Sequence, residues 1–311
     1  MHIAQIGTGR VGRPTAYTIM SAGLADTLTL CDVKPNLSAA FAQELNHVKA
    51  SLGLDVEINA CDRDQDVTNA DIILISAGKP RTPGIQMSRR DLAIQNAKIV
   101  REISEATAHN NPDAKYIVIT NPVDAMAMVC KKYTKASFVI GTGTNLESLR
   151  FRHALSDSLN VPISQIQGWV GGEHGDNAVI LWSTTRIFNQ PIDEFLKAEH
   201  KSLSKDKIAS YVKSVSKLIV DNIGGTEYGP AASFRDIVRA IVKNTDEVLS
   251  IATPMKIQGI PEPTFVGTPT QIGKMIGRSL YTSLDSNEQK GIIEAAKIIN
   301  QTYTMAAQNI E

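Results

Sequence analysis

The chain has 311 residues, 42% apolar and 21% charged, which is enough for one large domain or two medium ones with an ample core. Lys plus Arg and Asp plus Glu balance at 32 each, so nothing global favours nucleic acid or an anionic membrane as partner, and any anionic ligand must be met by a few local cations. No apolar run approaches the roughly 18 residues that span a bilayer, Met1–Ile6 lacks a signal-peptide pattern, and Cys31, Cys61 and Cys130 contain no CxxC, so the chain reads as a cytoplasmic protein with reduced thiols.

The first half alternates strand and helix patterns. Ile3–Ile6 predicts a strand, Arg13–Ala22 a helix ending near Gly23, Leu28–Cys31 a second strand and Val56–Ala60 a weaker third. Ile72–Ile75 is almost wholly apolar, as expected where helices cover both faces of a sheet. Arg89–His109 has helical spacing in Leu92, Ile94, Ile99 and Ile103, and Asn111-Pro112 stops it. Tyr116–Thr120 and Phe138–Ile140 are further buried strands. Strands alternating with helices predict a mostly parallel, doubly wound sheet with right-handed crossovers.

The second half changes character at a boundary near 142–146, dividing the chain into 1–144 and 145–311. Gln165–Val170 and Ala178–Trp182 read as antiparallel strands around a Gly-rich turn. Helices are predicted at about Lys205–Asn222 and Pro230–Lys243, and strands at Val248–Met255 and Thr264–Val266, broken by Pro254, Pro261 and Pro263. The last helix is expected to begin with a capping box at Ser286-x-x-Gln289 and to run towards Ala306. The expected architecture is α/β, a Rossmann sheet followed by an α+β domain.

Four segments carry chemistry. Gly7-Thr8-Gly9-Arg10-Val11-Gly12 is a GxGxxG between a strand and a helix, and Asp32 ends the next strand 20 residues after Gly12. Gly7 allows the tight turn, Gly9 a close approach to a pyrophosphate, and Gly12 close packing of helix on strand. The helix start offers unpaired N–H groups and a positive dipole end. Asp32 would accept from ribose hydroxyls and repel a 2′-phosphate, which favours NAD over NADP. Ser76–Leu92 leaves a buried strand through a Pro/Gly loop rich in Lys and Arg and enters a helix, a pattern that can close over an anion. Thr120-Asn121-Pro122-Val123-Asp124 sits at the C-terminal end of a strand, where open α/β sheets bind ligands. In Gly171-Gly172-Glu173-His174-Gly175-Asp176 the glycines leave His174 unobstructed, and an imidazole titrates near neutrality. No metal is expected, because no His/Cys set has zinc spacing.

These segments, with Leu146-Glu147-Ser148-Leu149-Arg150-Phe151-Arg152 and Gly225-Thr226-Glu227-Tyr228-Gly229-Pro230-Ala231, resemble the lactate/malate dehydrogenase family over essentially the whole chain. The resemblance implies an NAD-dependent 2-hydroxyacid dehydrogenase, a homodimer or homotetramer, acting on a small dicarboxylate or 2-oxo acid. It implies His174 as acid/base and Glu147 as its orienting carboxylate. Arg150 would grip the substrate carboxylate, Arg89 would polarise the carbonyl, and Asn121 would lie beside nicotinamide and substrate. The cofactor would meet Gly7, Thr8, Gly9, Arg10, Val11, Gly12, Asp32, Asn96, Ile119, Thr120 and Asn121. An Arg at position 81 is similar to malate-type members, where a second cation offsets the second carboxylate; lactate remains the alternative. A chain that kept the fold without the chemistry is a remoter alternative, opposed by the presence of His174, Arg89 and Arg150. Four positions depart from the pattern. Glu147 stands where Asp is usual, Ile85-Gln86 is an insertion, Thr226 is shared with lactate-type members, and Ala178-Val179-Ile180 lacks a usual Pro.

Overall fold

A computed structural model describes residues 1–79 and 89–310, with only the backbone of Arg89. In chain order the first half comprises β1 (His2–Ile6), α1 (Gly12–Ser21), β2 (Thr27–Cys31), α2 (Leu37–Leu52), β3 (Glu57–Cys61), β4 (Ile72–Ile75), α3 (Arg89–Ala108), β5 (Lys115–Val118), α4 (Val123–Thr134) and β6 (Val139–Gly141). These six strands lie in the order β3-β2-β1-β4-β5-β6, all parallel. The order reverses at β1, so the loops after β1 and β4 diverge and leave a crevice at their carboxyl ends.

Alternation within the central strands fills two cores. Ala4, Ile6, Ile73, Ile75, Tyr116 and Val118 point to one face of the sheet. Ile3, Leu28, Leu30, Ile72, Leu74 and Ile117 point to the other. Each fully buried Ile or Leu contributes about 1.5–3 kcal/mol of transfer free energy, and with both faces covered a one-residue slip of register gains nothing for either core.

The second half comprises α5 (Asn145–Leu159), β7 (Ile166–Gln167), β8 (Val170–Gly172), β9 (Ala178–Ile180), β10 (Arg186–Ile187), β11 (Gln190–Pro191), α6 (Ile192–Ala198), α7 (Lys205–Ile223), α8 (Tyr228–Lys243), β12 (Glu247–Met255), β13 (Thr264–Ile272), β14 (Ile276–Ser279) and α9 (Ser286–Ala307). The main sheet continues through β6-β12-β13-β8-β9, with β6 and β12 antiparallel at Gly141↔Ala252. A three-stranded sheet of β11, β10 and β7 stands apart from it. Phe151, Leu155, Ile166, Ile187, Phe195 and Val212 form a third core beneath α5, α6 and α7.

Several expectations are corrected. Gln165–Val170 is two strands in different sheets, because the chain leaves β7 at Gly168, where a Cβ would stand 2.8 Å from the Phe151 ring. Pro254 does not break β12: beyond Ala252 no residue of β12 pairs with β6, and a one-sided strand tolerates proline. The strand from Thr264 extends to Ile272. The last helix is capped one residue earlier than read: Asp285 accepts from the Asn287 and Glu288 amides, and Glu288 accepts from the Asp285 amide. Helices α2, α4, α5 and α6 are not among the elements expected from the sequence. In α4 every residue from Val123 to Cys130 is buried, so no polar face marks its period.

Candidate active site

The Gly-rich loop between β1 and α1 is shaped by close backbone packing. Gly7 has φ +90°, and a Cβ there would lie 2.5 Å from the Ala77 nitrogen. A Cβ on Gly12 would lie 1.8 Å from the Gly7 carbonyl oxygen. A Cβ on Gly9 would meet nothing within 4 Å, so that side of the loop is open. Ser76 donates to the Gly7 carbonyl at 2.9 Å and accepts from Gln5 Nε2 at 2.9 Å, bracing the loop from β4. Sequence reading missed this brace, since neither residue belongs to the motif.

The start of α1 has no side-chain cap and no acid in its first turn; the Arg13 amide donates to the Gly9 carbonyl at 3.2 Å and Pro14 has no N–H, which leaves the Val11 and Gly12 amides for an anion. Asp32 follows β2. Its Oδ2 accepts from the Thr8 amide at 2.8 Å and the Thr8 hydroxyl at 3.3 Å, and its Oδ1 from the Lys34 amide at 3.0 Å. The carboxylate is thereby aimed beside the loop with lone pairs to spare for a diol. An open glycine, uncapped amides and a fixed carboxylate fit a dinucleotide with an unphosphorylated ribose. Arg10 pairs with Glu227 at 2.8 Å and donates to the Ile223 carbonyl at 3.1 Å, tying the loop to the α7–α8 connection.

Around β4 and β5 the strand-end loops are locked together. Asn96 of α3 accepts from the Lys79 amide at 2.7 Å and donates to the Asn121 carbonyl at 2.7 Å. Its buried amide therefore ties the loops after β4 and β5 together. Thr120 donates to the Ala77 carbonyl at 2.7 Å. Arg81 lies outside the described residues, as does the side chain of Arg89.

Beyond the loops a cavity of about 220 Å³ is lined by Val11, Ile119, Asn121, Glu147, Arg150, His174 and Thr226, among others. Glu147 and Arg150 are one turn apart on α5, with Arg150 Nη1 3.7 Å from Glu147 Oε1. The Ser148 hydroxyl, on the same turn, accepts from the Val170 amide at 2.9 Å and so fixes α5 against β8. His174 sits in the β8–β9 turn, with Nδ1 3.0 and 3.1 Å from the two Glu147 oxygens. That contact orients the ring and leaves Nε2 for a ligand.

Electrostatics follow the contacts. Burial alone would lower His174, but the Glu147 charge and hydrogen bond, with Asp124 behind, push it up to about 9. Burial works against the Glu147 carboxylate, yet His174 and Arg150 hold it below the usual range. Two residues escaped the sequence reading. Asp124 accepts from the His174 amide at 2.9 Å. Lys213 of α7 brings a second cation to the cavity wall, and only packing against α5 could reveal it. Among the described residues no three His, Cys, Asp or Glu gather as ligands for a metal, and no helix is long and apolar enough to cross a membrane.

Comparison with known proteins agrees with this geometry. The family model "lactate/malate dehydrogenase, NAD binding domain" matches residues 1–138, and "lactate/malate dehydrogenase, alpha/beta C-terminal domain" matches 144–309. A malate dehydrogenase of Sulfolobus acidocaldarius is 37% identical over 309 residues, covering 99% of this chain and 98% of its own. An L-lactate dehydrogenase of Thermoanaerobacter is 34% identical, covering 96% of each. The solved lactate dehydrogenase of Cryptosporidium parvum, complexed with lactic acid and nicotinamide adenine dinucleotide, superposes with a TM-score of 0.89 at 26% identity, covering 98% of each chain. Fold, crevice and relatives define an NAD-dependent oxidoreductase. The chain belongs to the lactate/malate dehydrogenase family, and NAD is its cofactor.

Proposed function

We propose that the chain is a malate dehydrogenase that interconverts (S)-malate and oxaloacetate, with His174 as the acid/base. One observation carries the chemistry: His174, held by Glu147, shares a cavity with Arg150. NAD, when bound, supplies or accepts the hydride at C2 of the substrate. In reduction His174 gives its Nε2 proton to the carbonyl oxygen, and in oxidation it takes the hydroxyl proton. Arg150 meets the C1 carboxylate with a planar fork, and Asn121 donates to a substrate oxygen. Arg89 as carbonyl polariser rests on the sequence resemblance alone.

The choice of malate is supported by the Sulfolobus relative, by Arg81 in the sequence and by Lys213 on the cavity wall. A second buried carboxylate without a partner costs several kcal/mol, and either cation can offset that. Lactate is the second reading, favoured by Thr226 in the cavity and by the Thermoanaerobacter relative. The same proposal assigns residues 1–144 to the nucleotide and 145–311 to the substrate. It also makes the protein a cytoplasmic homodimer or homotetramer with a part in the tricarboxylic acid cycle.

The test is the initial rate of NADH oxidation with oxaloacetate and with pyruvate. We expect kcat/KM to favour oxaloacetate by about a hundredfold, roughly 2.7 kcal/mol of transition-state discrimination. Arg81→Gln and Lys213→Met then show which cation serves the second carboxylate: the variant that loses oxaloacetate turnover while keeping pyruvate turnover identifies it. A preference for pyruvate in the unaltered enzyme sinks the malate reading and leaves the acid/base reading standing.

A further inference from the structure

Asp124 is the second residue of α4, and its side chain is buried. Oδ2 accepts from the His174 amide at 2.9 Å, while Oδ1, equally buried, has no hydrogen-bond partner among the described residues. Holding an amide requires only an acceptor, which a neutral Asn supplies equally well. A carboxylate half-satisfied in a dry place is costly, so its charge calls for a reason.

The neighbours supply one. From the β8–β9 turn Asp124 faces His174 and Glu173, and from α5 it faces Glu147, with Arg150 beyond. The imidazole thus stands in the field of acids on two separate elements: Glu147 touches its ring, and Asp124 holds its backbone. The first turn of α4 favours negative charge through the helix dipole, which lets a buried carboxylate persist there.

We propose that Asp124 is a positioning residue for His174, fixing its backbone from α4 while its negative charge, added to that of Glu147, keeps the imidazole protonated. The function of that proton rests on the acid/base reading above, but the coupling itself does not. Burial raises Asp124 to about 7, with the His174 bond and charge opposing the rise and the Glu173 and Glu147 charges adding to it. Its charge therefore changes within the working range of an enzyme near neutrality.

The test is the titration of His174 in full-length protein labelled with ¹³C-histidine, its resonance assigned by its loss in His174→Gln. Asp124→Asn keeps an acceptor for the amide and removes the charge. We expect the His174 midpoint to fall by about one pH unit, and the alkaline limb of kcat/KM for 2-oxo acid reduction to move down with it, a roughly tenfold loss above that limb. Asp124→Ala, which removes acceptor and charge together, is expected to lower kcat at the optimum as well. An unmoved midpoint in a folded Asp124→Asn overturns the proposal. A midpoint that falls while the rate profile stays supports the coupling and removes the acid/base reading instead. If Asp124→Asn does not fold, the unaltered protein decides. The His174 backbone amide proton should then show a step near the Asp124 value of about 7 besides the ring step at about 9, and a single step overturns the proposal.

Discussion

Glu147 has one methylene more than the Asp usual at its place in the family, and the extra reach does not part it from the ring: both oxygens lie within 3.1 Å of His174 Nδ1. Glu147 lies in the first turn of α5, where the helix dipole favours its charge. The sign of the pH dependence follows. With His174 as the proposed acid/base, reduction would need the protonated ring, so its kcat/KM is expected to hold below about pH 9 and fall as pH rises through that value, while oxidation would need the neutral ring and is expected to rise over the same interval. Glu147→Gln removes the charge that touches the ring, and the alkaline limb of reduction should move down by more than in Asp124→Asn. A pH–rate series on both variants measures this, and an unchanged limb in Glu147→Gln rules out Glu147 as the group that holds the proton.

At the scale of elements, the strand–loop–helix unit β1–α1 separates binding from folding. Gly12 packs against the Gly7 carbonyl, whereas Gly9 faces open space. Gly12→Ala should therefore disturb the loop itself and cost about 1–3 kcal/mol by overpacking, seen as a lowered thermal midpoint. Gly9→Ala should melt like the unaltered protein while binding NADH at least about tenfold more weakly, or 1.4 kcal/mol, measured by NADH fluorescence titration. If Gly9→Ala binds NADH normally, the open side of the loop is not where the pyrophosphate lies. Arg10 belongs to the same unit in sequence but acts across it, and its exposed pair with Glu227 contributes no more than about 1 kcal/mol.

For the whole molecule, the two halves share their cores. Ile3, Ile19 and Leu28 pack in one cluster with Phe234, Ile237 and Ile251, and on the other face Ala4, Ile73 and Met126 pack with Phe265, Val266 and Ile299. The sheet itself crosses the division through β6 and β12. Calorimetry should therefore show one cooperative endotherm, and residues 1–144 expressed alone should expose these faces and aggregate. Two well-separated endotherms would mean that each half buries enough apolar surface by itself.

Sequence alone marked the strands of the nucleotide-binding half and two of its helices, α1 and α3, but not α2 or α4. Its strands are short apolar runs, and the Gly7–Gly12 loop and Asp32 are read locally, because turn geometry and strand ends depend on neighbours in the chain. It also marked His174 by its setting between glycines, and Glu147 and Arg150 only through likeness to a family, since their spacing shows no contact. Helix α4 stayed hidden because burial on every side erases the helical period, and Pro254 misled because whether a strand is one-sided is decided by its partners. Only the tertiary structure joined Glu147 to His174, set Asp124 of α4 behind that ring and turned Lys213 of α7 to the cavity. Each of these depends on the packing of elements far apart in the chain, and proton affinity depends on distance and burial that no local pattern of residues encodes.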